Sequence, residues 1–226
     1  MNVLGIDTST GATAVCVERR DGEAFEHRPA PADLLAPPDH GRELMPAVHE
    51  SMAAAGLRFQ GLDAIAVGIG PGAYTGLRIG VSTARALGEA ADVALRPVSS
   101  LAALAAGVEE HAVLALVDAR RGELFASFWS GSEERWPAFL ASPSGLIRRL
   151  ESLLPGGSES PLAIGDGALR SRHALEAVGI EVPPDESPLH VVRALHVCRL
   201  AARAPALPPA AVTPDYMREP DAKPSR

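Results

Sequence analysis

Lysine is nearly absent from this 226-residue chain, and its formal net charge is -7. Phosphate backbones are held by clustered Lys and Arg. The composition therefore argues against nucleic-acid binding by the chain acting alone, and leaves open a partner that supplies the basic surface. The two cysteines, Cys16 and Cys198, have no metal-ligand spacing and form no disulfide framework, which fits a reducing compartment. There is no His-Glu-x-x-His, no His-x-x-x-His and no cysteine pair, so no metal site is expected. Gly-x-Ser-x-Gly is missing, and with it the hydrolase elbow. No apolar run approaches the roughly 20 residues that span a bilayer. The apolar N-terminus is interrupted at Asp7, so no signal peptide is expected. These absences predict a soluble, cytoplasmic protein without a membrane partner, and they supply no catalytic residue.

What remains is the composition of a globular α/β protein: 46% hydrophobic and 22% charged residues. Asn2 to Ile6, Ala12 to Arg19 and Glu23 to Arg28 read as three strands, the last two joined at Asp21-Gly22. A helix is predicted from Asp39 or His40 to about Ala55, with Leu44, Ala47, Val48, Ser51 and Met52 on one face. A strand over 62–67, a helix over 77–91 and a strand over 93–98 follow, then a short helix after Ser99 or Ser100. From His111 the pattern restarts, and two related halves are expected with a boundary near Gly107. The second half should hold strands at 111–117, 123–129, 135–140 and 162–164, and helices at 144–154, 168–178 and 189–204. The domains so drawn are 1–106, 107–218 and a disordered tail, 219–226.

The most distinctive stretch is Gly68-Ile69-Gly70-Pro71-Gly72-Ala73-Tyr74-Thr75-Gly76-Leu77-Arg78-Ile79-Gly80. It is a strand–glycine-turn–helix junction. Gly70 and Gly72 could let backbone amides approach a phosphate, or could serve only a tight turn. No Gly-Lys-Ser/Thr follows, so it is not a Walker A loop. Asp7, Thr8, Ser9 and Thr10 could bind a phosphate or a hydrated metal ion, or satisfy their own turn. Gly76, Gly80, Ala84 and Gly88 fall four apart on one helix face. Each interior glycine costs about 1 kcal/mol against alanine, which points to a close approach by another backbone. That backbone could belong to the chain's own sheet or to another protein. Asp118-Ala119-Arg120-Arg121-Gly122-Glu123 is a ligand site or an exposed charged hairpin.

These residues carry a resemblance. Ile6-Asp7-Thr8-Ser9-Thr10, the glycine stretch 68–80, Val98-Ser99-Ser100-Leu101-Ala102-Ala103-Leu104 and Asp118-Ala119-Arg120-Arg121-Gly122-Glu123 occur in this order. Together they closely resemble the TsaB (YeaZ) family. Asp39-His40-Gly41-Arg42-Glu43-Leu44-Met45-Pro46 is similar to that family's His-Ser-x-x-Leu-x-Pro, and Pro214-Asp215-Tyr216-Met217-Arg218 to its Pro-x-Tyr-x-Arg. The resemblance implies a two-lobed actin/Hsp70/sugar-kinase-like (ASKHA) fold with a reduced second lobe. It implies a non-catalytic role in making N6-threonylcarbamoyladenosine (t6A) in tRNA, beside a TsaD-type catalytic subunit and a TsaE-type ATPase. Transfer RNA would be met only through the complex. No cofactor is then required by this chain, and ATP and Mg would act at the level of the complex. The partner-binding face, and that of a competing homodimer, is expected at His40, Leu44, Val48, Met52, Gly76, Gly80, Ala84 and Gly88. A free-standing ATP-dependent phosphotransferase of the same fold and a glycoprotease-like peptidase are the alternative readings.

Overall fold

The computed structural model describes residues 1–108, 111–153 and 160–218. Residues 219–226, where a disordered tail is expected, lie outside the described residues. Strands β1 (Val3–Asp7), β2 (Ala14–Glu18) and β3 (Ala24–His27) form an antiparallel meander. Helix α1 (His40–Ala54) leads to β4 (Ala64–Gly70), which lies parallel to β1. Helix α2 (Tyr74–Ala91) and β5 (Leu95–Ser99) complete a five-stranded sheet of order β3-β2-β1-β4-β5. Ser99 caps α3 (Ser100–Ala105) by accepting a bond from the Ala102 amide, 3.3 Å.

The second sheet repeats the plan. Strands β6 (Ala112–Arg120), β7 (Glu123–Ser130) and β8 (Glu133–Ala141) are again an antiparallel meander. Helix α4 (Pro143–Leu153) leads to β9 (Leu162–Ile164), parallel to β6, and α5 (Asp166–Glu176) follows. The order β8-β7-β6-β9 matches β3-β2-β1-β4 element for element.

Strand alternation builds the layers, because successive side chains leave a strand on opposite faces. Leu4, Ile6, Val15 and Val17 share a core with Leu44, Val48, Met52, Val81 and Ala84 of α1 and α2. Their neighbours Val3, Ala14 and Cys16 point the other way, into a core shared with Val113, Ala115 and Val117 of β6. Leu114 and Leu116 face a third core with Leu146, Leu150 and Leu175 of α4 and α5. The result is five layers: α1 and α2, the first sheet, α3 with α6 (Ala194–Ala201), the second sheet, then α4 and α5.

Two sequence expectations change here. The helix expected over 189–204 is a short turn at Pro188–His190, extended backbone at Val191 and Arg193, and then α6. Val191 and Val192 are buried between these segments, and a β-branched pair is at ease in extended backbone. Residues 107–218 also do not form a lobe by themselves. Helix α6 packs on β1 and β2 of the first sheet, and Val212 returns to the core beneath α2.

Candidate functional site

The turn after β1 meets the β4–α2 junction. Asp7 is 1% exposed. Its Oδ1 accepts bonds from the Ser9 amide (2.9 Å) and hydroxyl (2.7 Å), and its Oδ2 accepts one from Ser100 Oγ (2.7 Å). Thr8 Oγ1 donates to the Gly76 carbonyl at 2.7 Å, and the Ala73 amide donates to the Ser9 carbonyl at 2.7 Å. Thr10 Oγ1 accepts from the Ala12 amide, 3.4 Å. A Cβ on Gly72 would overlap the Ser9 carbonyl, and one on Gly76 the Thr8 carbonyl. Gly70 has φ 116° and sits against Leu77 and the Asp215 carbonyl. Asp7, Thr8, Ser9, Thr10, Gly70 and Gly72 thus lie together where the β1–β2 turn interlocks with the β4–α2 junction. The Asp7 carboxylate and the Thr8 and Ser9 hydroxyls bond within the turn, to Ser100 and to the start of α2. Burial pushes the Asp7 carboxyl above its ordinary range, against the opposing bonds from Ser9 and Ser100.

His40 opens α1 but is no surface residue: it is 3% exposed. Its Nε2 donates to the Thr10 carbonyl at 3.1 Å, which leaves Nδ1 as the acceptor of a neutral ring. The single Thr13 hydroxyl proton faces both that Nδ1 and Glu43 Oε2, each 2.8 Å away. Burial holds the His40 pKa below its usual value, more than the Thr10 bond and the Glu43, Asp7 and Asp39 charges raise it. The imidazole thereby locks the β1–β2 turn onto α1.

The residues expected on the partner face are likewise internal. Leu44, Val48 and Met52 belong to the core against Val15, Val17 and Ile65. Gly80 faces Thr8, Gly88 faces Leu95 and the Val93 carbonyl, and Ala84 is fully buried. The four-residue spacing of small side chains therefore serves the chain's own turn and β5. An amphipathic helix in an outer layer turns its small and apolar stripe inward. The exposed positions of α1 and α2 are others, among them Arg42, Pro46, His49, Glu50 and Ala53 on α1, and Thr75, Arg78, Ser82, Ala86 and Glu89 on α2.

In the second sheet the same junction carries charges. The Asp118 amide, near the end of β6, donates to Asp166 Oδ1 at 3.0 Å. Asp118 Oδ1 accepts from the Arg120 amide (2.8 Å), and its Oδ2 pairs with Arg170 Nε (2.8 Å) and Arg120 Nη1 (3.3 Å). Asp166, the first residue of α5, is buried, and burial pushes its pKa to about 6. The Asp118 N–H bond opposes that shift and the Asp118 charge adds to it. His190 is fully buried: Nδ1 accepts from the Gly165 amide (3.2 Å) and Nε2 donates to the Pro183 carbonyl (3.1 Å). Arg170 and His190 carry no signal in the sequence. Only Asp166 carried a signal, the Gly165-Asp166-Gly167 turn after an apolar run, and nothing local distinguishes a histidine that caps a distant amide.

A strap joins the two ends. The Asp215 amide bonds to the Ile69 carbonyl of β4 at 2.8 Å. Tyr216 lies on Tyr74 with ring centroids 4.8 Å apart. Arg218 then reaches the second sheet, donating to the Ala119 carbonyl (2.9 Å) and pairing with Glu123 (2.8 Å). Among the described residues no group of three or more His, Cys, Asp or Glu could hold a metal ion, and no helix is long and apolar enough to cross a membrane.

Comparison with known proteins places this geometry. The family model described as TsaD, tRNA N6-adenosine threonylcarbamoyltransferase, matches residues 34–135. An uncharacterised protein of Mycobacterium tuberculosis is 33% identical over 223 residues, 98% of this chain and 94% of that one. The tRNA threonylcarbamoyladenosine biosynthesis protein TsaB of Haemophilus influenzae is 35% identical over 131 residues, 56% of this chain and 53% of its own length. TsaB of Escherichia coli is 34% identical over 129 residues, 55% of this chain and 53% of its own length. A crystal structure described as an uncharacterised protein with similarity to peptidase YEAZ, from Pseudomonas aeruginosa, matches with TM-score 0.77 and 26% identity over 96% of this chain and 99% of that one. The two-sheet, five-layer arrangement is of the general actin-like class, and the chain belongs to the TsaB (YeaZ) family.

Proposed function

We propose that this chain is a non-catalytic subunit in the biosynthesis of N6-threonylcarbamoyladenosine in tRNA, working with a TsaD-type transferase and a TsaE-type ATPase. The observation that carries the non-catalytic part is the interlock. In the turn the Asp7 carboxylate, the Thr8 and Ser9 hydroxyls and the Ser9 carbonyl are bonded within the protein, and α2 begins directly on top of it. A phosphate could enter only by breaking those buried bonds, each worth about 1 kcal/mol net and more if a partner is left orphaned. The tRNA role is supported by family membership and by the tRNA threonylcarbamoyladenosine biosynthesis proteins that align over about half their length. ATP and Mg belong in this reading to the partner subunits. The partner contact falls to the exposed positions of α1 and α2, such as Arg42, His49, Ser82 and Glu89, since the inward stripe is occupied. A homodimer through the same outer layer would compete with the heterodimer.

The direct test is reconstitution. Mixed with TsaD-type and TsaE-type proteins, unmodified tRNA, threonylcarbamoyl-adenylate and ATP, the chain is expected to raise t6A formation at least tenfold over the same mixture without it. No dependence on the chain would sink the proposal. The chain alone is expected to hydrolyse no ATP above background. Turnover that scales with its concentration through repurification would favour a free-standing phosphotransferase instead.

A further inference from the structure

The strap links an exposed aromatic pair at the start of α2 to an arginine-bearing turn of the second sheet, on a chain of net charge -7. Tyr74 and Tyr216 are 39% and 41% exposed although they stack on each other. Arg78 lies over the Tyr74 ring, 5.3 Å from its centroid, and donates to the Tyr74 hydroxyl at 3.1 Å. Two residues beyond Tyr216, a reach of at most about 7 Å, Arg218 docks on the β6–β7 turn beside Arg120. Arg120 and Arg170 have side chains 54% and 42% exposed, yet both are anchored to one side chain, Asp118, itself only 9% exposed. Asp118 engages one nitrogen of each guanidinium. A guanidinium carries five N–H donors, so further donors remain on each.

An exposed π-face next to pre-oriented guanidiniums is the chemistry of unpaired nucleotides: bases stack on tyrosine and arginine planes, and phosphates take the forked donors. We infer that Tyr74, Tyr216, Arg78, Arg120, Arg170 and Arg218 form a contact surface for single-stranded RNA, the substrate tRNA near its reacting loop. This rests on the proposed role in tRNA modification and adds to it a direct RNA contact by the non-catalytic subunit. The net charge of -7 keeps the surface too weak to hold tRNA alone, so it works only when the partner subunits supply the rest of the binding.

The test uses the assembled complex and an unmodified tRNA transcript. Tyr216→Ala is expected to raise KM for tRNA about tenfold, in line with the stacking contribution per base, with kcat changed less than twofold. Tyr216→Phe is expected to restore the wild-type KM. Arg120→Ala with Arg170→Ala is expected to lower by about two the slope of log affinity on log salt for a labelled anticodon stem-loop. Unchanged KM and salt slope in variants that melt normally would overturn the inference. So would Tyr216→Ala weakening subunit assembly while the assembled fraction keeps its KM, which would make the surface a protein interface. If the wild-type complex forms no t6A, the proposed role fails. The stem-loop measurement then still decides the surface: a reduced slope and affinity in the variants support it, and no change refutes it.

Discussion

Gly80→Leu is expected to unfold or severely destabilise the protein rather than to release a partner. A Cβ at this position would overlap Thr8 Oγ1, the group that bonds to the Gly76 carbonyl. A leucine there must push the β1–β2 turn off α2. The turn cannot yield cheaply, because its neighbours Asp7, Ser9 and Ser100 are tied to one another in a fully buried network. Overpacking a tight core costs about 1–3 kcal/mol. Losing the buried Thr8 bond adds about 1–1.5 kcal/mol. The better helix propensity of leucine returns less than about 1 kcal/mol. A loss of about 3–4 kcal/mol is therefore expected, a fall in Tm of about 10 °C for a chain of this size. Ala86→Leu, on the exposed side of the same helix, should change stability by less than about 0.5 kcal/mol. Thermal melting of both variants beside self-association by ultracentrifugation separates the two roles. If Gly80→Leu melts like wild type but no longer associates, the interlock is wrong and the small-residue stripe is an interface after all.

That contrast also shows what the sequence can carry. The strand–glycine–helix junction was legible because Gly68 to Gly80 combines an apolar run, three closely spaced glycines and a long helical pattern. β4 and α2 lie where that pattern puts them, each beginning or ending within a few residues of expectation. The direction in which the small stripe faces was not legible. Periodicity assigns Gly76, Gly80, Ala84 and Gly88 to one face, but a face packed on a neighbouring turn and a face packed on another protein demand the same residues. Thr8, which fills the groove at Gly76 and Gly80, is remote in sequence from both, and Leu95 meets Gly88 only because the chain turns back after α2. The repeat of the two halves was visible in Asp7 and Asp118, each near the end of a first strand, and the matching strand orders give it a physical basis. The return of α6 to the first sheet had no local signal. Its apolar face, Ala194, Val197, Cys198 and Ala201, would suit any core.

Asp166→Asn is expected to stabilise the protein at neutral pH and to do so less as the pH falls. Asp166 is buried with its carboxyl pushed from its ordinary 3.8 to about 6, chiefly by desolvation. Between these values the folded chain holds a proton that the unfolded chain has released. Stability therefore falls as pH rises from about 4 to about 6, and the loss is complete above that. Two pKa units correspond to about 3 kcal/mol at neutral pH. Asparagine keeps the oxygen that accepts the Asp118 amide and carries no charge to desolvate. Its new amide donors need a partner in a tight site, so a net gain of about 2 kcal/mol is expected at pH 7.5, or about 5 °C in Tm. At pH 4.5 the gain should be smaller by about 2 kcal/mol, because the aspartate is then protonated in the folded state and only about 1 kcal/mol of its cost remains against the still mostly ionised unfolded chain. His40, His190 and His196 titrate with the opposite sign. Burial lowers each pKa, so they remove stability as pH falls below their ordinary 6.5, but they do so equally in both proteins and cancel from the difference. Urea denaturation of the pair at pH 4.5 and 7.5 measures it. A difference that is constant with pH, or a variant less stable at both, would show that Asp166 is held ionised by Arg170 and Arg120 rather than strained by burial.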